Sequence, residues 1–210
     1  MNFLTLYHGS KSGIQGRICP SSRIRCDFGR GFYMGTDRSQ SLTLICNYPD
    51  ARIYTLRADL TGLRILNLSA DLDWAMLIAW HRGKMEAAAG TPLYERIAHL
   101  GDSCDLIVGY IADDRMFVVL DRFFNGEITD TALIHCLSAL KLGKQYAAVS
   151  QRGCDQIEIL DEQVLTQKVR GKLKRDSEEN RRKGISLANE ICRSYRREGR
   201  YFDEILESGE

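Results

Sequence analysis

His8 and Gly9 close a short apolar run, Leu4-Thr5-Leu6-Tyr7, and Ser10 follows them. About twenty residues later comes Asp27-Phe28-Gly29-Arg30-Gly31-Phe32-Tyr33-Met34-Gly35-Thr36, where two glycines flank an arginine and aromatics stand on either side. An imidazole at a strand end changes charge near neutral pH and can donate or accept a hydrogen bond. Glycine lets the backbone approach a ligand closely and reach positive φ. A tyrosine at a strand end offers a flat face to a flat ligand. The same residues also make two ordinary strands with a loop between them.

Two later stretches add polar groups at strand ends. Asp113-Asp114-Arg115 follows the very apolar Leu106-Ile107-Val108-Gly109-Tyr110-Ile111, and Lys144-Gln145-Tyr146-Ala147 opens another strand. Asp114 suits a base toward an incoming nucleophile and equally suits a turn with solvated acids. No dinucleotide fingerprint, P-loop, metalloprotease or nucleophile-elbow motif occurs. His81, His99 and His135 are scattered, so nothing supports a metal. The seven cysteines are odd in number and nowhere spaced Cys-x-x-Cys, which argues against a zinc cluster and against a secreted disulfide framework. Together with an N-terminus that lacks a signal-peptide pattern, this predicts a cytoplasmic chain. No apolar run reaches the roughly 20 residues that span a bilayer. A net charge of +1 over 210 residues gives no global case for nucleic acid or membrane.

Leu6-Tyr7-His8-Gly9-Ser10 followed by the Gly29-Arg30-Gly31-Phe32-Tyr33 segment resembles the first two motifs of ADP-ribosyltransferases of the diphtheria-toxin and poly(ADP-ribose) polymerase class. More closely, residues 3–165 resemble a bacterial family of unknown function assigned to that superfamily. The resemblance implies NAD as substrate, transfer of ADP-ribose to a macromolecular acceptor and release of nicotinamide. It implies a toxin of a toxin–antitoxin pair or a phage-defence effector, with an antitoxin as a further partner. His8 would then hydrogen-bond the ribose, Gly9 backbone groups would hold the carboxamide with Ser10 in the same NAD site, and Tyr33 would stack on the nicotinamide. Asp27, Phe28, Gly29, Arg30, Gly31 and Phe32 would form the ligand loop, with Arg30 toward the pyrophosphate. Ser39 would echo a serine that grips the amide, although helix capping explains it as well. The family places a glutamate on a late strand. Here Gln145 occupies that place, with Gln156 as second choice, so a hydrogen-bonding group is retained but the charge is lost. NAD hydrolysis, or a non-catalytic NAD-binding module, are the alternatives.

The elements that would position these residues are short strands and helices in mixture. Strands are expected at 3–8, 32–34, 52–60, 63–68, 104–111, 144–150 and 155–160, the last two adjacent. Helices are expected at 39–48, 71–83, 92–100 and 129–140. The period of the apolar residues supports these assignments, and Thr36-Asp37 and Pro49 bound the first helix. The expected fold is α+β, a split mixed or antiparallel sheet of the ADP-ribosyltransferase type, over residues 1–165. Residues 166–210 are read as a locally basic extension of one or two amphipathic helices. It packs on its own domain or binds a partner protein or nucleic acid.

Overall fold

The computed structural model describes residues 2–209, the side chain of Asp114 excepted. Seven strands form one sheet: β1 (Phe3–Ser10), β2 (Phe32–Gly35), β3 (Arg52–Asp59), β4 (Ile65–Asn67), β5 (Leu106–Tyr110), β6 (Lys144–Ala148) and β7 (Ile157–Val164). Their order is β4-β5-β6-β2-β1-β3-β7. Only β4 and β5 run parallel, and every other pairing is antiparallel. The expected α+β class with a mixed, mostly antiparallel sheet therefore holds.

Helices α1 (Arg38–Thr43), α2 (Leu72–His81), α3 (Pro92–Ala98), α4 (Asp114–Phe124), α5 (Asp130–Ala139) and α6 (Gln151–Asp155) lie between the strands. The chain ends in α7 (Gln167–Ser194) and α8 (Phe202–Ser208). The sheet's two faces are covered differently. One carries the main core, with Trp74 to Ala79 of α2, Ile97 of α3, Met116 and Phe123 of α4 and Leu133 of α5 all buried. The other holds Leu6, Phe32, Met34, Tyr54, Leu56 and Ala148, with Ile14 and Ile18 of the segment after β1 packed on it.

Two expectations change. β6 and β7 are not neighbours, because β2, β1 and β3 stand between them. β6 has Ala147 and Ala148 buried on opposite faces and suits the interior, whereas β7 is mostly exposed and forms an edge. A helix, α4, occupies 114–124, a run to which the sequence pattern above assigns no element. Asp113 caps it by accepting from the Arg115 and Met116 amides, and Met116, Val119, Leu120 and Phe123 give it a buried stripe at helical spacing. The C-terminal extension packs on its own domain, one of the two arrangements expected for it. Ala188, Cys192, Phe202, Ile205 and Leu206 belong to the main core, and Phe202 packs against Phe123 and Phe124 with ring centroids 5.2 and 5.3 Å apart.

Candidate functional site

The cleft begins where β1 and β2 separate. β1 pairs with β3 along its whole length, from Phe3 opposite Asp59 to Ser10 opposite Arg52. Its pairing with β2 is confined to Tyr7 opposite Gly35. Continuing that register would set Gly9 against Tyr33. Instead the His8 ring takes the place of the missing rung, its Nδ1 lying 2.7 Å from the Tyr33 carbonyl oxygen. A carbonyl only accepts, so Nδ1 carries the proton. Burial lowers the imidazole pKa below its ordinary value, outweighing the opposing pull of the Tyr33 bond, and the ring is neutral at pH 7. Nε2 is then an acceptor, and no described residue bonds to it. Phe32 stacks on the ring at 4.4 Å and 27°.

Around this ring lies a cavity of about 380 Å³, inside the range of roughly 300–1,000 Å³ usual for small-molecule sites. His8, Ser10, Gly31, Phe32 and Tyr33 line one side, and the segment from Gly13 to Ser22 lines the other. Five residues singled out by the sequence thus meet at one cavity. The opposite wall comes from a segment to which the sequence reading assigns no site residue. It contributes Gln15, Arg17, Cys19 and Ser22. The signal for it was the lone arginine in a Gly/Ser-rich loop following His-Gly. Arg17 is held by Asp155 at 2.6 Å, while the Tyr54 hydroxyl accepts from the Ile14 amide at 2.9 Å and fixes the loop's start.

The glycine-arginine-glycine loop is built as a rigid partition. The Tyr33 hydroxyl donates to the Gly29 carbonyl at 2.7 Å and accepts from the Phe28 amide at 3.0 Å, and burial raises its pKa above the ordinary tyrosine value. Gly29 has φ +74°, and a Cβ there would stand 2.6 Å from His81 Cε1, so the turn needs glycine for both conformation and space. Asp27 pairs with Arg82 at 2.6 Å, both little exposed. Phe28 is buried against the main core. Asp27, Phe28 and Gly29 shape the loop and do not line the His8 cavity. Arg30 and Gly29 face a second cavity of about 240 Å³ with Trp80 and His81, so Arg30 does not stand beside His8. In the cavity itself the cation is Arg17.

The remaining assignments fall elsewhere. Tyr7, Gly35, Gln145 and Gly109 form one row across β1, β2, β6 and β5, and residues in one row share a face. His8, next along β1, therefore presents to the opposite face. Tyr33, opposite Ala147, belongs with Gln145 and the helix-covered core. The structure thus does not bring Gln145 to His8. Gln145 is 8% exposed and its Nε2 is buried without a hydrogen-bond partner. Gln156 lies further off, at the Phe3 end of β1, its carbonyl accepting from the Asp59 amide at 3.0 Å. Tyr33 offers its hydroxyl to the loop, and Phe32 is the ring stacked on His8. Gly9 is required by α1, since a Cβ there would lie 2.7 Å from the Ser41 carbonyl oxygen. Ser39 donates to Asp37 at 2.7 Å, within the cap of α1.

Asp114 begins α4, and its side chain lies outside the described residues. Its neighbours Asp113 and Arg115 pair with each other. They line a third cavity of about 330 Å³ between α1 and α7, together with Asp37 and Ser39. That cavity shares no lining residue with the His8 cavity.

Residues 4–159 match one protein family. The chain belongs to DUF3990, described as a protein of unknown function. No curated protein and no solved structure matches it. The matched region takes in β1 through the first part of β7, so the His8 cavity lies inside the DUF3990 region and α7 and α8 lie beyond it. Among the described residues no group of His, Cys, Asp and Glu is placed to hold a metal ion, and no helix is long and apolar enough to cross a membrane.

Proposed function

We propose that this DUF3990 chain binds NAD in the β1–β2 cleft and cleaves it, transferring ADP-ribose to a macromolecular acceptor. The observation that carries the reading is the neutral His8 imidazole. One nitrogen is spent on the Tyr33 carbonyl at the point where the sheet splits, and the other is left as an acceptor at a cavity of small-molecule size.

In that reaction the bond between ribose C1′ and nicotinamide N1 breaks. Its electron pair neutralises the pyridinium ring, and the nucleophile that attacks the ribosyl cation loses a proton. Nε2 of His8 accepts from a ribose hydroxyl and fixes the sugar's orientation. Phe32, stacked on His8, gives the apolar floor. Arg17 is the cation in reach of the pyrophosphate, once it exchanges Asp155 for phosphate oxygens. The resemblance to the toxin and polymerase class in the His-Gly and Gly-x-Gly-aromatic-Tyr motifs supports the same assignment.

One observation favours a second reading. No Asp or Glu is among the described residues lining the cavity. A preorganised charge at a developing ion contributes on the order of 3 kcal/mol, about two powers of ten in rate. Without one, NAD is bound and turned over slowly, hydrolysed, or held uncleaved. Incubating the purified protein with NAD labelled in the nicotinamide, with and without cell lysate as acceptor, separates these outcomes. Released label together with ADP-ribose on macromolecules supports transfer. Free ADP-ribose alone identifies a glycohydrolase. Raised thermal stability in NAD without release leaves a binding module, and neither stabilisation nor release sinks the NAD reading.

A further inference from the structure

Helix α7 extends past the DUF3990 region and has one face that the rest of the molecule does not use. Its inner face is committed: Leu173 packs toward Leu42, Ile45 and Leu165, and Ala188 and Cys192 enter the main core. On the outer face Lys168, Lys172, Arg175 and Arg182 recur at i, i+4, i+7 and i+14, the spacing that keeps residues on one side of a helix. All four are exposed, and none forms a salt bridge or side-chain hydrogen bond with a described residue. Between Gln167 and Arg175 there is no acid at all. Glu179, the acid that interrupts the stripe, is engaged by Lys183 at 2.6 Å. At 1.5 Å rise per residue the stripe runs about 21 Å along the helix.

We propose that this face of α7 binds the phosphodiester backbone of nucleic acid. A straight file of unpaired cations matches a regular line of phosphates. The stripe has no aromatic residue to stack on a base, so contact is through phosphates and independent of sequence. A lipid surface would need a continuous apolar face beside the cations, and on α7 only Val169 and Leu187, 18 residues apart, are exposed large apolar side chains among the described residues. An acidic protein partner would need a buried apolar or aromatic anchor among the charges, which the stripe does not provide.

The stripe points away from the protein: Arg170, on the inner side of α7, donates to the Tyr48 carbonyl at 3.2 Å, and Leu173 packs with Leu42 and Ile45. The binding claim does not depend on the NAD reading above.

The test is fluorescence anisotropy of a labelled 20-nucleotide DNA, single-stranded and as duplex, without NAD. Four phosphate contacts predict that affinity falls about 50- to 150-fold between 50 and 200 mM salt. The Lys168→Gln/Lys172→Gln/Arg175→Gln variant changes only exposed, unpaired side chains and is expected to keep the unfolding profile of the parent. It should bind more than tenfold more weakly at 50 mM salt, with the salt slope reduced to about one. Absence of saturable binding to either DNA form at 50 mM salt overturns the proposal. So does undiminished binding by the variant, or a preference for anionic phospholipid vesicles over DNA. Because NAD is absent throughout, a failure here leaves the cleft assignment untouched, and a failure of NAD binding leaves this result standing.

Discussion

Replacing His8 separates its two nitrogens, because an asparagine amide reaches the Nδ1 position but falls short of Nε2. His8→Asn is expected to keep the bond to the Tyr33 carbonyl and lose the stacking on Phe32, at 4.4 Å in the parent. Aromatic pairs contribute roughly 0.5–1.5 kcal/mol beyond area burial, so the variant should lose about 1 kcal/mol. His8→Ala loses the same stacking and also strands the carbonyl at the split, a penalty of about 1–3 kcal/mol for an unsatisfied acceptor. Its total is about 2–4 kcal/mol. For a chain of this size 1 kcal/mol corresponds to roughly 2–4 °C in Tm, so the two variants should be separated by several degrees in thermal unfolding. Nicotinamide release should disappear in both, since neither retains an acceptor at Nε2. If His8→Asn is as unstable as His8→Ala, Nδ1 is not the bridge. If His8→Asn still releases nicotinamide, Nε2 is not the group that meets the ribose.

Acidification provides an independent check. Burial depresses His8 below its ordinary value and takes His81 down to about 4. Below pH 6.5 the unfolded chain therefore binds protons that the native chain refuses, and stability declines as pH falls from 7 toward 4. Discounted for its partial exposure, His81 contributes on the order of 2 kcal/mol to that decline, and a urea midpoint unchanged between pH 7 and pH 5 would refute it. Gly109→Ala puts a methyl 2.6 Å from Phe28 Cζ and 2.9 Å from Trp74 Cδ1, both in buried rings. Overpacking of this kind costs about 1–3 kcal/mol, and an unshifted Tm would show that the rings have room to move. Phe202→Ala should cost about 3–5 kcal/mol by emptying the space beside Phe123 and Phe124. A chemical-denaturation loss below 1 kcal/mol would mean that α8 is not part of the core.

How far the sequence could be read depended on whether the governing contact was local. His8, Ser10, Gly31, Phe32 and Tyr33 converge on one cavity because they end or begin strands that are neighbours in the sheet. The start of α1 at Thr36-Asp37 and the helical character beyond Thr166 were equally visible. That Gln145 takes the sheet face opposite His8 follows from its pairing with Gly35, and register is a property of two strands rather than one. Asp27 pairs with Arg82 and Arg30 faces the cavity of Trp80 and His81, because the direction of a loop side chain depends on what packs behind it. The Gly13–Ser22 wall was hidden for the same reason, since it has no periodicity and is held by Tyr54 from a distant strand. The helix after Asp113 was legible, for its apolar spacing stands in the sequence.

The single rung between β1 and β2 makes the sheet two ribbons sharing one joint. In most sheets the stiffest direction runs across the strands, because every rung must break for the halves to part. Here the weak seam is set at the centre of the sheet instead of its margin, and the cleft opens along it. Widening the cleft breaks one side-chain hydrogen bond and leaves the ladders on either side intact. A molecule bound there would act as a splint, and its effect should be seen first in slowed amide exchange at the inner edges of β1 and β2.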